Sequence, residues 1–239
     1  MHIKNKTAII TGASSGLGAA VSEALVKEGA KVFGLARNLV KLQKLKDALG
    51  GSFIPVTLDI SDAQEVKNWV DKTFSDTNVP DILINNAGAG IFGKIDEIPE
   101  EEWLAMINTN LNGMYYLTSA VARLMKQTHY SSHIINIGSI LGSTGRAESA
   151  AYCTTKFGVQ GFSDALFKEL RFFNIKVTCF NPGSIDTHFF ESSGIDSHQN
   201  LLQPNDLAAT LVHILQTPEN MLINELTVRP LNPKNPDHG

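Results

Sequence analysis

Short apolar runs alternate with longer amphipathic stretches from one end of the chain to the other. The runs at 7–11 (TAIIT), 31–36 (KVFGLA), 52–57 (SFIPVT), 81–85 (DILIN), 133–137 (HIINI), 176–180 (KVTCF) and 222–228 (LINELTV) read as strands. They are apolar toward both faces, as a sheet covered by helices on each side requires. Between them the spacing predicts helices at about 17–28, 39–49, 62–75, 100–127, 150–173 and 204–216. Ser61, with Gln64 three residues on, is the expected N-cap of the third helix. Pro99 before Glu100, Glu101 and Glu102 marks the start of the fourth, because carboxylates favour the positive end of a helix dipole. Alternation with short connections predicts a parallel sheet with right-handed crossovers. The expected organisation is one doubly wound α/β domain over residues 1–239, with a loose, proline-bearing tail at 230–239.

Composition changes this picture little. A chain of 239 residues, 43% hydrophobic and 18% charged, suits one globular domain. A formal net charge of −4 supplies no basic field for nucleic acid or an anionic membrane. MHIKNKTAIITG runs straight into a strand pattern, so no signal peptide is expected, and no run of about 18 apolar residues suggests a membrane span. The two cysteines, Cys153 and Cys179, lie in apolar segments and make no disulfide framework, which suits a reducing, cytoplasmic setting. His188 and His198 have no cluster of acidic or histidine partners at ligand spacing, so no metal is expected.

The first strand ends in Thr11-Gly12-Ala13-Ser14-Ser15-Gly16-Leu17-Gly18. Three glycines between a strand and a helix let the backbone approach a pyrophosphate, and the helix start offers free N–H groups. The spacing is G-x-x-x-G-x-G rather than G-x-G-x-x-G. The second strand runs into Leu35-Ala36-Arg37-Asn38, with no acid to hold a ribose 2′-hydroxyl. Arg37 instead suits a 2′-phosphate, with Ser14, Ser15 or Asn38 adding hydrogen bonds. A charge-assisted bond of about 1.5–3 kcal/mol corresponds to a preference for NADPH over NADH of about 10- to 100-fold. Asp59, beside Ile60 after the third strand, either accepts from an adenine amino group or caps the following helix.

Tyr152 and Lys156 are four residues apart in a helical segment and so share a face. A lysine cation within about 4–6 Å lowers a phenol pKa by about 1–3 units, which would let Tyr152 act as a general acid or base. Ser139 follows the fifth strand, where its hydroxyl could hold a substrate oxygen. Asn110 sits in mid-helix, where asparagine is a mediocre helix former, and could hold a water linking Lys156 to solvent. Each of these also reads as a locally satisfied polar residue.

Taken jointly, the motifs resemble the short-chain dehydrogenase/reductase family, in its compact single-domain branch. Gly12, Gly16 and Gly18 match its TGxxxGxG loop and Asn85-Asn86-Ala87-Gly88 its NNAG segment. Asn110, Ser139, Tyr152 and Lys156 match its catalytic Asn, Ser, Tyr and Lys in order, Asn181-Pro182-Gly183 its NPG turn, and Thr187 its later threonine. The resemblance implies a three-layer Rossmann fold with a seven-stranded parallel sheet in the order 3-2-1-4-5-6-7. It implies that Asn86, Ala87 and Gly88 line the adenosine side of a cofactor site and that Lys156 holds the nicotinamide ribose. It also implies that Pro182, Gly183, Ile185 and Thr187 bracket the carboxamide. The resemblance further implies a homodimer or homotetramer, compatible with apolar Phe157, Phe162, Phe167 and Phe172, which would equally serve the domain's own core.

The expected function is NADP(H)-dependent hydride transfer between the cofactor and a small-molecule carbonyl or alcohol. The alternatives are a 3-oxoacyl-carrier-protein reductase, a non-catalytic NADPH-binding regulator, and an epimerase or dehydratase. The ending Asn224-Glu225-Leu226-Thr227-Val228-Arg229-Pro230 lacks the Val-Asp-Gly-Gly pattern of many acyl-carrier reductases, which lowers that alternative. Substrate choice is expected from Ile91 and Phe92, from residues 141–149, where Arg146 either faces solvent or meets a substrate carboxylate, and from a mobile lid at 184–203 bearing Phe189 and Phe190.

Overall fold

The computed structural model describes residues 1–128, 130–187, 189 and 198–234. Its strands are β1 (Thr7–Thr11), β2 (Lys31–Ala36), β3 (Phe53–Thr57), β4 (Ile82–Asn85), β5 (Ser132–Ile137), β6 (Ile175–Pro182) and β7 (Glu225–Val228). They form one parallel sheet in the order β3-β2-β1-β4-β5-β6-β7, as expected. Successive side chains of a strand point to opposite faces, and the sequence uses both. Ala8 and Ile10 of β1, Ile82 and Ile84 of β4, and Ile135 and Ile137 of β5 pack on one face. That face is covered by α1 (Gly16–Lys27), α2 (Leu39–Leu49) and α7 (Pro204–Leu215). Ile9, Leu83 and Ile134 point the other way, under α3 (Ala63–Thr73), α5 (Met114–Met125) and α6 (Ala150–Leu170).

Two local expectations need correction. The cap of α3 is Asp62, whose carboxylate accepts from the N–H groups of Gln64 and Glu65 at 2.9 Å; the Ser61 hydroxyl instead donates to Asp59. A carboxylate at that position serves both donors and the helix dipole, which a hydroxyl does less well. The single helix expected over 100–127 is two, α4 (Glu100–Ile107) and α5, joined by a π-helical turn at Asn108–Gly113. In the tail, the carbonyl of Lys234 accepts from the Asn200 amide at 2.8 Å. Among the described residues, no helix is long and apolar enough to cross a membrane.

Because strand order reverses between β1 and β4, their following segments part to opposite sides and leave a crevice beyond the carboxyl ends. At the other end of the sheet, His133 is wholly buried, and its Nε2 lies 2.8 Å from the Thr178 hydroxyl. That hydroxyl donates to the Ile223 carbonyl, so it accepts from His133, and Nε2 carries the imidazole proton. Burial, with Lys176 and the N-terminal ammonium adding to it, pushes the His133 pKa down to about 3. The unfolded chain, where histidine titrates near 6.5, therefore binds one more proton between these limits. Stability should be complete above pH 6.5 and decline toward pH 3. Denaturant unfolding of the His133→Leu variant should show that decline reduced by one proton; an unchanged slope would assign it to other groups.

Candidate active site

The crevice encloses about 1060 Å³. The residues singled out from the sequence converge on it: Gly12, Ser14, Ser15, Gly16 and Leu17 after β1, Arg37 and Asn38 after β2, and Asp59 and Ile60 after β3. Asn86, Ala87 and Gly88 follow from β4, Ser139 from β5, Tyr152 and Lys156 from α6, and Pro182, Gly183, Ile185 and Thr187 from the end of β6 onward. Gly18 and Asn110 lie behind this lining rather than in it, and each shapes it from there.

The glycine loop is held by sterics. Gly12 has φ +66°, and a Cβ on it would come within 2.9 Å of the Ala87 backbone and the Asn86 amide. A Cβ on Gly18 would overlap the Gly12 carbonyl oxygen, so Gly18 lets the first turn of α1 fold back beneath the loop. Asn86 ties that loop to β4. Its amide donates to the carbonyls of Thr11 at 2.9 Å and Gly12 at 3.4 Å, while the Thr11 hydroxyl accepts from the N–H groups of Asn86 and Ala87. The start of the twelve-residue α1 faces the crevice with no acidic side chain in its first turn, the electrostatics of an anion site. Arg37 stands exposed at the far end, and Asn38 caps α2 by accepting from the Lys41 N–H, which leaves its NH2 group to donate. Burial tends to raise the Asp59 pKa, but two hydrogen bonds from Ser61 and the charge of Arg37 outweigh it and hold the carboxyl below its ordinary value.

At the other end, Tyr152 is buried and hydrogen-bonded to Ser139. Lys156 is buried too, donating to the Ile137 carbonyl at 2.8 Å, with its Nζ 5.7 Å from the Tyr152 ring. Burial drives the Tyr152 hydroxyl well above its ordinary value, and the Ser139 bond offsets only part of this. The expectation of a phenol lowered by its lysine is therefore not met in the protein alone. The apolar wall around the ring penalises the phenolate, and the nearby Cys153 adds to the rise. Lys156 is pushed down to about 8 by the same desolvation, opposed by Cys179.

Asn110 occupies the π-helical turn, a type of distortion that recurs at functional sites. Its amide donates to the Ala89 carbonyl at 2.8 Å and to the Thr155 hydroxyl at 3.0 Å, and its Oδ1 accepts from the Ala89 N–H at 2.7 Å. One lone pair of Oδ1 remains free to accept a further hydrogen bond. A Cβ on Gly88 would stand 3.4 Å from that oxygen and 3.8 Å from Lys156 Nζ, so the glycine keeps the space between them open.

A match to the short chain dehydrogenase family model spans residues 6–197. The chain belongs to the short-chain dehydrogenase family. An oxidoreductase of Staphylococcus aureus, itself uncharacterized, is 34% identical over 96% of this chain and 99% of its own length. A closed serine dehydrogenase complexed with NADP+ superposes with a TM-score of 0.87 at 30% identity, covering 93% of this chain and 94% of that one. A 3-ketoacyl-(acyl-carrier-protein) reductase from Brucella melitensis complexed with NADH does so at 0.87 and 27%, covering 96% and 98%.

In this short-chain dehydrogenase, several positioning residues escaped the reading of the sequence. Thr155 receives the Asn110 bond and donates to the Tyr152 carbonyl at 2.9 Å, joining the π turn to α6. The Asn181 Oδ1 accepts from the Ser139 N–H at 3.2 Å, while its amide donates to Gln160 and Glu225. Asn85 donates to Thr118 and Asn136, and Asn136 to Ser163, behind the site. Hydroxyls and amides in apolar runs were the available signal, since such groups need buried partners. Arg146 does not line the crevice; its Nε donates to the Ser149 hydroxyl and its guanidinium rests 5.3 Å from the Phe92 ring. Ile185 pairs with Leu202, closing the base of the segment expected to be a lid. His188, Phe190 and residues 191–197 lie outside the described residues. Among the described residues, no group of three metal-ligating side chains occurs.

Folding keeps Lys156 partly neutral, so the unfolded chain binds more protons between pH 8 and 10.5 and stability rises with pH there. Thermal or urea unfolding of the wild type should show a gain of about 2 kcal/mol between about pH 7 and 9.5. Lys156→Met should lack that gain and be the more stable protein at pH 7. Parallel profiles for the two proteins would show that Lys156 is not penalised by burial.

Proposed function

We propose that this oxidoreductase transfers a hydride between NADP(H) and a small-molecule carbonyl or secondary alcohol, with Tyr152 as general acid and base. The observation that carries this reading is the convergence of Ser139, Tyr152 and Lys156 with a glycine-lined, acid-free anion cradle in one crevice. The residues fit a dinucleotide. Gly12, Gly16 and the start of α1 would take the pyrophosphate, Arg37 a 2′-phosphate, and Asn86, Ala87 and Gly88 the adenosine side. Lys156 would take the nicotinamide ribose, with Pro182, Gly183, Ile185 and Thr187 about the carboxamide. When bound, the nicotinamide supplies or accepts the hydride.

Tyr152 gives its proton to the carbonyl oxygen during reduction and recovers it in the reverse direction. Ser139 orients that oxygen by hydrogen bonding. Lys156 steadies the tyrosinate that forms, and Asn110 holds a water through which the proton is replaced. Burial leaves Tyr152 carrying the proton that reduction consumes. A 3-oxoacyl thioester is the second reading, supported by the likeness to the Brucella reductase. Both cysteines are buried and unpaired, which supports a reducing, cytoplasmic setting.

We further propose a homodimer or homotetramer. Phe162 and Phe167 pack into the domain's own core, but Phe157 on α6 is 47% exposed, as are Tyr115 on α5 and Leu104 on α4 to similar extents. Phe172 stacks under Arg171 on the turn after α6 and is not part of that helix face.

Consumption of reduced nicotinamide against ketones, aldehydes and 3-oxoacyl thioesters tests the reaction. NADPH should be preferred about 10- to 100-fold over NADH, Arg37→Ala should erase most of that preference, and Tyr152→Phe should abolish turnover. NADPH binding without turnover on any substrate would move the protein to the regulator reading. Light scattering should give a dimer or tetramer mass that Phe157→Glu reduces; a monomeric wild type would refute the assembly.

A further inference from the structure

Tyr152 is flanked by two aromatic rings. Phe92 lies 5.2 Å and Phe189 5.9 Å from the Tyr152 ring, centre to centre, tilted by 50° and 58°. The two come from different segments, the loop after β4 and the stretch after β6, and they meet over Gly90. A Cβ built on Gly90 would stand 2.7 Å from Cε1 and Cζ of Phe189 and 3.1 Å from Cε2 of Phe92. Gly90 does not have a positive φ. A side chain there would meet no backbone strain, only the two rings. The crowded atoms are at the far ends of side chains, so the rings would move and the fold would remain.

Phe189 also lines the crevice beside Ser139, Lys156 and Thr187. A carbonyl compound that reaches Tyr152 from the crevice therefore has the Phe189 ring within reach of one substituent. Behind the rings, Ile91, Trp103 and Met106 complete an apolar wall. Phe92 is steadied from another side by the Arg146 guanidinium at 5.3 Å, itself fixed by its bond to Ser149. A pre-set aromatic wall favours a flat apolar group, which offset or edge-on ring contacts reward beyond the area they bury.

We propose that Gly90 is a specificity-determining residue: by leaving room for Phe189 and Phe92 to flank Tyr152, it creates an aromatic slot that selects carbonyl compounds bearing an aryl or other flat apolar substituent. The proposal rests on the hydride-transfer reading for its kinetic form, and the slot itself can be tested without turnover.

The wild type, Gly90→Ala and Phe189→Ala proteins should be compared on acetophenone, cyclohexanone and acetone with NADPH. The wild type should favour acetophenone over acetone by at least about tenfold in kcat/KM. Gly90→Ala should lose about tenfold of that advantage through KM, with kcat little changed and NADPH affinity, read by cofactor fluorescence, within about twofold. Phe189→Ala, which relieves crowding instead of adding it, should lose the advantage as well. Equal selectivity in all three proteins overturns the proposal. In parallel, calorimetry should compare 1-phenylethanol with 2-propanol on each protein saturated with NADP+. If no ketone is turned over, the reaction reading fails, and this second measurement decides the slot alone. Tighter 1-phenylethanol binding by the wild type, weakened in Gly90→Ala, upholds it; equal binding of the two alcohols overturns it.

Discussion

The site hangs from the join between β1 and β4. These strands are neighbours in the sheet, yet the chain leaves them toward opposite sides, and the gap between the two departures is the crevice. A gap at the end of a buried sheet exposes backbone groups that need partners. Thr11 and Asn86 provide them: one hydroxyl accepts two N–H groups, and one amide reaches back to two carbonyls. With the floor closed in this way, Gly12 and Gly18 are required by contact, since any side chain on either would strike the clamp or the loop it holds.

Above that floor the molecule accepts a conflict between burial and charge. Tyr152 and Lys156 stand in an apolar wall that disfavours both the phenolate and the ammonium. Desolvation of this kind costs stability, but it also strengthens each remaining polar contact, because the surroundings screen it poorly. The positions of these side chains and of Ser139 are secured by hydrogen bonds within the protein: Lys156 to Ile137, Thr155 to the Tyr152 carbonyl, Asn181 to Ser139. The helix that carries Asn110 gives up its regular geometry for one turn, and the Asn110 side chain gains three hydrogen bonds to two residues on other segments.

Much of this was legible in the chain. Strand and helix positions follow from where apolar residues fall, and the order of Gly12-Gly16-Gly18, Asn86, Ser139, Tyr152-Lys156 and Pro182-Gly183 names the pieces of the site, because each motif sits at the end of a strand or the start of a helix. The reading faltered where a residue's role depends on a partner far away in sequence. Thr155 carries no sequence signal of its own, and only the fold brings it to Asn110, 45 residues earlier, which bonds to it. Asn181 reads as part of a turn until its carbonyl is found under Ser139, 42 residues away. Arg146 reads as a solvent-facing arginine or a ligand for a substrate acid, whereas in space it braces Phe92.

The sequence by itself determined the alternation of elements, the family, the candidate site residues and the absence of an acid beside Arg37, since all of these are local in the chain or recur at set spacing. The tertiary structure decided the protonation balance of Tyr152 and Lys156, the π turn at Asn110 and the aromatic slot over Gly90. Each of these depends on how many apolar atoms surround a group and on which distant side chains share its space. Desolvation and steric exclusion are properties of a packed neighbourhood, and a neighbourhood assembled from β4, α4, α6 and the stretch after β6 exists only once the sheet has brought them together.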